Sequence, residues 1–422
     1  MTTRGKITIV GAGQSGLALA FGLLRYDYSV TVISDRTPED LLYGRVTSSQ
    51  CMFDSAQGFE RALGINFWDA ECPNINGVRI SGYLPDHPDS PVTSWAAPLD
   101  RPAQSIDQRL KFSRWMKAFE ELGGDLQFVV ADVDLLERQA QESDLVVVAA
   151  GKDSISNLFD RDDQKSTFSS PQRSLAMFYV DGLEARSESF VEFNAIPEVG
   201  EYLTYPALTR QGDCQIMLFE AIPAGPMDIW TSAASDSDRL ARAHAVLRKY
   251  LPSEAVRARS VSLIDGGATL VGAFTPTVRH PVGTLPSGAH VRGMGDVLVL
   301  NDPITAQGAN NANKFAETYL HAITHHSGRF DREFMQQTFT DFWRSIGEVS
   351  TAFTTQFLGP SPDHARQLHM AAGRYPEIGR RMAACMNDPN EARGFVLDPV
   401  GAYRFIDDVA RKSAQEATLV SA

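Results

Sequence analysis

The chain opens with a short apolar run, Ile7–Val10, which breaks at Gly11. After Gly11-Ala12-Gly13-Gln14-Ser15-Gly16 come small and apolar residues, Leu17–Leu24, at helical spacing. A second run, Val30–Ile33, ends at Ser34-Asp35-Arg36. A short apolar run without alternation suits a strand buried on both faces, and the spacing between the runs suits a helix. The first 36 residues therefore predict strand, tight turn, helix, strand: one βαβ unit.

Residues 37–100 are mixed, with turn formers concentrated at Pro85–Pro91. Ile106–Leu122 reads as an amphipathic helix that gathers Leu110, Trp115, Met116, Phe119 and Leu122 on one broad face, and Gly123-Gly124 stops it. Leu126–Val130 reads as a strand, and Leu145–Ala150, ending at Gly151, as a second buried parallel-type strand. From Arg173 to Trp230 the character changes. The short stretches Leu175–Val180, Phe190–Asn194 and Gln215–Phe219, separated by turn signals, predict an antiparallel sheet and a second domain. A helix is expected over Asp236–Tyr250, and a buried strand over Val297–Leu300 that leads through Pro303 and Gly308 into another helix. In the last quarter Phe334, Met335, Phe339, Phe342, Ile346, Val349, Phe353 and Phe357 recur at spacings near three and four, the stripe of helices packing on a body.

Composition narrows the class. The 422 residues, 43% hydrophobic, hold enough apolar material for a folded protein of two to three units. Thirty-nine basic residues against 52 acidic ones give a net charge of −13, which disfavours nucleic acid and anionic membranes as partners. Cys51, Cys72, Cys214 and Cys385 lie far apart with no C-x-x-C pair, as suits a reducing cytoplasm. No run approaches the ~18 apolar residues of a membrane span. The nine His form no ligand pattern; His321, His325 and His326 suit a helix C-terminus better than a metal, and no metal site is expected.

The candidate chemistry starts at the glycines. G-x-G-x-x-G alone is weak, but here it follows a strand, opens a helix and is followed 19 residues after Gly16 by Asp35. Gly11, Gly13 and Gly16 allow a tight turn and close backbone approach to a pyrophosphate, and the helix start supplies free N–H groups. An acid about 20 residues on takes the ribose hydroxyls, a role open to Asp35, with Arg36 beside it, or to Ser34.

Far downstream, Gly293-Met294-Gly295-Asp296 is followed by Asp302-Pro303 and Gln307-Gly308-Ala309-Asn310. This resembles the second FAD motif of the flavin hydroxylase fold. Together with IVGAGQSGLALA, VTVISDR, GRVTSSQ, DLVVVAAGKDS and SPQRSLAMFYVDG, it makes the chain similar to the two-component styrene and indole monooxygenases along most of its length. The resemblance implies an α/β fold with a Rossmann-like FAD-binding domain of the glutathione-reductase-2 type, an inserted antiparallel substrate domain and C-terminal helices. The FAD-binding domain is expected at 1–75, 104–165 and 285–330, the substrate domain at 76–103 and 166–284, and the helical region at 331–422.

The resemblance also implies the reaction. Reduced FAD (FADH2) and O2 form a C4a-hydroperoxyflavin that passes oxygen to an electron-rich C=C bond, giving an epoxide from styrene or, from indole, indoxyl and then indigo. Single-component hydroxylases usually carry a D-G pair after the middle strand; Ala150-Gly151-Lys152 has no Asp there. A separate NADH-dependent flavin reductase is therefore implied as partner. Cofactor contacts are expected from Gly11, Gly13, Gly16, Asp35, Arg36, Arg45, Arg109, Asp296, Pro303, Gly308, Ala309 and Asn310, with Asp296 on the ribitol and Asn310 and Asn311 at the flavin edge. Arg45 is placed beside the flavin, with Ser48 and Gln50 as hydrogen-bonding partners of the reacting substrate. Ser48, Gln50 and Met52, with Ile75, Val78 and Ala103, match the indole-preferring pattern rather than the Asn, Val and His of the styrene type, and Ile304 lines the space over the flavin. Three other readings stay open: a styrene or aryl-alkene epoxidase, a self-sufficient NAD(P)H hydroxylase, and a non-catalytic carrier of prenylated cargo on the same fold.

Overall fold

The expected βαβ unit forms the middle of a six-stranded sheet. Residues 3–150 and 155–420 are described by the computed structural model of the chain; Gly151 and Lys152 lie outside the described residues. The chain divides into two units. The first comprises Met1–Ala70, Ile106–Ser170 and Thr275–Glu348. Its strands are β1 (Lys6–Val10), β2 (Ser29–Ser34), β3 (Asp125–Phe128), β4 (Leu145–Val148), β5 (Val282–Thr284) and β6 (His290–Gly293), lying in the order β5-β6-β4-β1-β2-β3. All neighbours run parallel except β5 and β6. Ile7 pairs with Val30 on one side and Leu145 on the other. Ile9, Val32 and Val147 are wholly buried, which is why these strands read as apolar runs without alternation.

Four helices of this unit position the site: α1 (Gln14–Leu24), α2 (Asp54–Ala62), α3 (Gln108–Glu121) and α4 (Gln307–His325). The helix α1 packs so tightly on α4 that a methyl added at Gly22 would come within 2.5 Å of the Leu320 side chain. In α3, Trp115, Met116 and Phe119 are buried as expected, and Asp107 caps the first turn through the Arg109 N–H. Leu122 instead lies past the helix end and is 66% exposed.

Two strand expectations are corrected. The strand at 126–130 ends at Phe128, and Val129 and Val130 are exposed beyond it. Val297, Leu298 and Val299 are buried and Leu300 half-buried, but only Val299–Leu300 is extended, and it pairs with Thr277–Val278 in a separate ladder. The strand that extends the parallel sheet is β6, whose residues His290 and Arg292 break the apolar run.

The second unit comprises Glu71–Ser105, Pro171–Phe274 and Val349–Ala422. Its sheet runs Ser262–Leu263, Ser174–Asp181, Gly212–Ala221, Gly200–Thr209, Phe190–Ile196, Asn74–Gly82, Thr93–Gln104, with Thr269–Gly272 also paired to Ser174–Asp181. Phe178, Tyr202, Phe219 and Trp230 pack under the helix Asp236–Tyr250 through Ala243 and Leu247. The stretch with mixed character thus supplies two long strands, and the Pro85–Pro91 turn formers lie in the loop that joins them. The helical region after 331 is not a unit of its own. Arg332–Phe342, a π-helical turn at Trp343–Gly347 and Glu348–Leu358 follow without a break, and the division between units falls inside this run.

Candidate cofactor and substrate site

Each glycine of the first motif has a distinct physical reason. Gly11 sits at φ +118°, and a methyl there would meet the Ala150 backbone N at 2.6 Å. A methyl at Gly16 would stand 2.0 Å from the Gly11 carbonyl oxygen, so the start of α1 closes directly on the turn. Gly13 differs: its backbone is extended, at φ −92°, and a methyl there would touch no atom of the described residues within 4 Å. The side-chain position of Gly13 therefore opens on space next to the free N–H groups of a helix start, the cradle that a pyrophosphate needs.

The second motif lies against the first. Gly295, at φ +67°, faces Ser15 so closely that a methyl would meet its Oγ at 2.7 Å. The chain then passes through Asp302, which caps the Pro303–Thr305 turn through the Ile304 N–H, and through Ala306 in the left-handed region, into α4. Among the described residues a methyl at Gly308 would meet nothing within 4 Å, so the start of α4 also opens on free space. Two helix starts, each with a glycine leaving room beside it, fit the two halves of FAD.

Asp296 follows Gly295 in the short turn Gly295–Val297. Its side chain is exposed to solvent yet surrounded by protein, as on the floor of a depression, and this burial pushes its carboxyl up to about 6. The folded value lies above the unfolded value of about 3.9, so the cofactor-free protein holds an extra proton between the two. Its stability should rise as pH falls from 7 through 6 and level off below 4. Asp296→Asn is expected to remove that part of the Tm-against-pH curve; an unchanged curve means that another group carries it.

The other expected residues fall into distinct settings. Asp35 and Arg36 are exposed just past β2 and face each other at 3.5 Å, whereas the buried Ser34 hydroxyl is bonded to the Arg36 backbone. Arg45 and Ser48 are exposed on the loop before α2, while Gln50, Cys51 and Met52 are buried in it. Pro303 is half-buried and Ile304 buried at the approach to α4. Ile75, Val78 and Ala103 are buried in the second unit, where Ile75 and Ala103 are direct cross-strand partners.

Two residues expected at the cofactor are committed elsewhere. The Arg109 guanidinium is buried and doubly bonded to Asp107, at 2.7 and 2.9 Å, and it donates to the Gly44 carbonyl at 3.1 Å. It ties α3 to the segment that leads into Arg45 instead of standing open for a phosphate. The Asn310 side-chain amide donates to the Cys51 and Ala306 carbonyls and accepts from the Phe53 N–H. It braces the loop before α2 against α4, leaving its main chain at the helix start as the part that can face flavin.

A buried polar cluster escaped the sequence reading. Glu60 Oε1 accepts from Lys111 Nζ at 2.7 Å, Gln14 Nε2 at 2.8 Å and Asn313 Nδ2 at 2.9 Å. The one available signal was Lys111 on the apolar face of its helix, a turn before Trp115. Among the described residues no three His, Cys, Asp or Glu are grouped to hold a metal, and no helix is long and apolar enough to cross a membrane.

The chain is similar to known proteins. Residues 151–257 match the family model described as the styrene monooxygenase A putative substrate binding domain. Over 330 residues the chain is 28% identical to the styrene monooxygenase StyA of Pseudomonas fluorescens, which spans 76% of this chain and 78% of that one. Similar solved structures include a triple mutant of a flavin-dependent brominase, with TM-score 0.66 and 14% identity over 97% of this chain and 100% of that one. A mutant of 2-methyl-3-hydroxypyridine-5-carboxylic acid oxygenase gives TM-score 0.57 and 17% identity over 94% and 98%. These structural likenesses are likenesses of fold, the Rossmann-like FAD-binding fold.

Proposed function

We propose that this chain, a flavin-dependent monooxygenase of the styrene monooxygenase type with FAD as its cofactor, epoxidises the C2=C3 bond of indole with reduced FAD delivered by a separate NADH-dependent flavin reductase. When bound and reduced, FAD with O2 supplies an electrophilic oxygen atom to the alkene, the second oxygen leaving as water as the flavin returns to its oxidised form. The chain's own residues seat the cofactor, shape the apolar space and orient the substrate. Gly13 and Gly308 let the backbone approach the cofactor, and Asp296 is assigned to its ribitol. Met52 and Ile304, both buried, offer apolar surface that excludes water.

Gln50 is the observation that supports indole. Its Nε2 donates to the Ile106 carbonyl at 2.8 Å, which fixes the amide's orientation. Its Oε1 is buried and receives no hydrogen bond from the described residues. A buried acceptor without a donor costs about 1–3 kcal/mol, and a substrate N–H removes that cost. Indole carries such a donor; styrene carries none. Styrene stands as the second reading, because the relatives matched over three quarters of the chain are named for it.

A paired assay tests the proposal: protein, FAD, NADH, oxygen and indole, with and without added flavin reductase, and styrene in parallel. Blue pigment only with reductase is the expected result. Pigment without reductase would make the enzyme self-sufficient. A higher kcat/KM for styrene than for indole would overturn the indole assignment, and failure to bind FAD at all would revive the carrier.

A further inference from the structure

We propose that the buried Glu60–Lys111 pair is a positioning hub that sets the two cofactor helices and the loop at 48–53 relative to one another. The inference rests on the oxygenase reading of that site. A single carboxylate oxygen, Glu60 Oε1, receives donors from three different helices: Lys111 of α3, Gln14 of α1 and Asn313 of α4. Gln14 Nε2 is shared with Asn313 Oδ1 at 2.6 Å, and Asn313 Nδ2 also reaches the Ala56 carbonyl of α2 at 3.0 Å. Lys111 Nζ lies over the Trp115 ring, 4.8 Å from its centre. Glu60, Lys111 and Asn313 are essentially without solvent exposure.

The position of each member gives the cluster its meaning. Gln14 stands inside the first glycine motif, between Gly13 and Gly16, as the first residue of α1. Asn313 lies one turn beyond Asn310, whose amide holds Cys51 and Phe53. Glu60 sits on α2, the helix that follows that loop directly. The cluster therefore touches the start of the pyrophosphate helix, the second turn of the flavin helix and the support of the loop bearing Gln50.

A buried ion pair is a poor device for stability alone, because apolar residues of equal volume do as well. Its distinctive property is direction. One oxygen that takes three donors within 2.7–2.9 Å fixes how their three helices stand relative to one another. Misplacement of about 1 Å at a reacting centre is enough to cost about 100-fold in rate. Glu60 and Lys111 are thus positioning residues: they act through the helices they hold.

The test compares Glu60→Gln, Lys111→Met, their combination and Asn313→Ala. Each single charge change strands a buried partner and should lower Tm; the neutral double variant should recover most of that loss. In every variant that is folded at the assay temperature, oxidised FAD should nonetheless bind about tenfold more weakly. With reductase and indole, the share of O2 recovered as organic product should fall at least about threefold, the remainder appearing as H2O2. Wild-type FAD affinity together with a wild-type product share in a folded variant would overturn the hub and leave the cluster structural. FAD affinity is read without reductase or substrate. A wild-type enzyme that oxidises neither indole nor styrene therefore strikes the oxygenase reading alone, and the hub still stands or falls on cofactor binding.

Discussion

Gly13→Val is expected to weaken FAD binding by at least about 100-fold while leaving the Tm of the cofactor-free protein within a few degrees of wild type. The two halves of this expectation come from different facts. The Gly13 backbone is extended and a Cβ there meets no atom of the described residues within 4 Å, so the backbone conformation admits a side chain. Replacing glycine at a compatible site even removes unfolded-state entropy, worth about 0.4–1 kcal/mol. The cofactor is what the side chain displaces. Hydrogen bonds from main-chain N–H groups to a charged phosphate are worth about 1.5–3 kcal/mol each, and losing one or two accounts for the loss at 1.4 kcal/mol per tenfold. Gly16→Ala is the contrast. Its methyl would stand 2.0 Å from the Gly11 carbonyl oxygen, so fold and cofactor binding should fail together. Calorimetry of both variants with and without FAD separates them. Undiminished FAD affinity in Gly13→Val would remove the start of α1 as the pyrophosphate seat.

The joint exchange Ser48→Asn, Gln50→Val and Met52→His should shift the ratio of kcat/KM for indole over styrene toward styrene by at least about tenfold. Valine at 50 deletes the amide acceptor that the indole N–H would satisfy, and styrene loses nothing by its removal. A site built to pair with a substrate donor discriminates steeply, because the unmatched group stays buried when the wrong substrate binds. The same change also removes the donor to the Ile106 carbonyl, so Tm should drop modestly, by about 1 kcal/mol of stability. The decisive quantity is the substrate ratio. A ratio that does not move means that the loop does not read the substrate.

The parts of the site legible in sequence are those whose physics is local. Gly11, Gly13 and Gly16 act within six residues of each other, and the strand and helix beside them carry their own periodicities. The cap of α3 by Asp107 is local in the same way. The bracing role of the Asn310 side chain is not legible in sequence because its partners, Cys51 and Phe53, lie about 260 residues away, and an amide at a helix start looks alike whether it faces a ligand or a loop. The setting of Arg109 is hidden for a related reason: a pair two residues apart gives no sign of whether it ends in solvent or under the main chain of Gly44. The Glu60 cluster draws members from four helices, and only folding brings them together. The strand at 290–293 went unseen because Arg292 interrupts it, although the residue is wholly buried over the Tyr319 ring.

The order of strands in the parallel sheet has a consequence during synthesis. Strand β4 pairs with β1 early in the chain, but its other neighbour, β6, emerges only about 140 residues later, roughly 7–30 s at ordinary elongation rates. Throughout that interval one edge of a Leu-Val-Val-Val strand has no partner from its own chain. Such an edge invites pairing with a neighbouring nascent chain. The yield of soluble enzyme in a producing cell is thus governed by how slowly and how sparsely the chain is made, at lowered temperature or with chaperones that cover apolar edges, as much as by the stability of the finished fold.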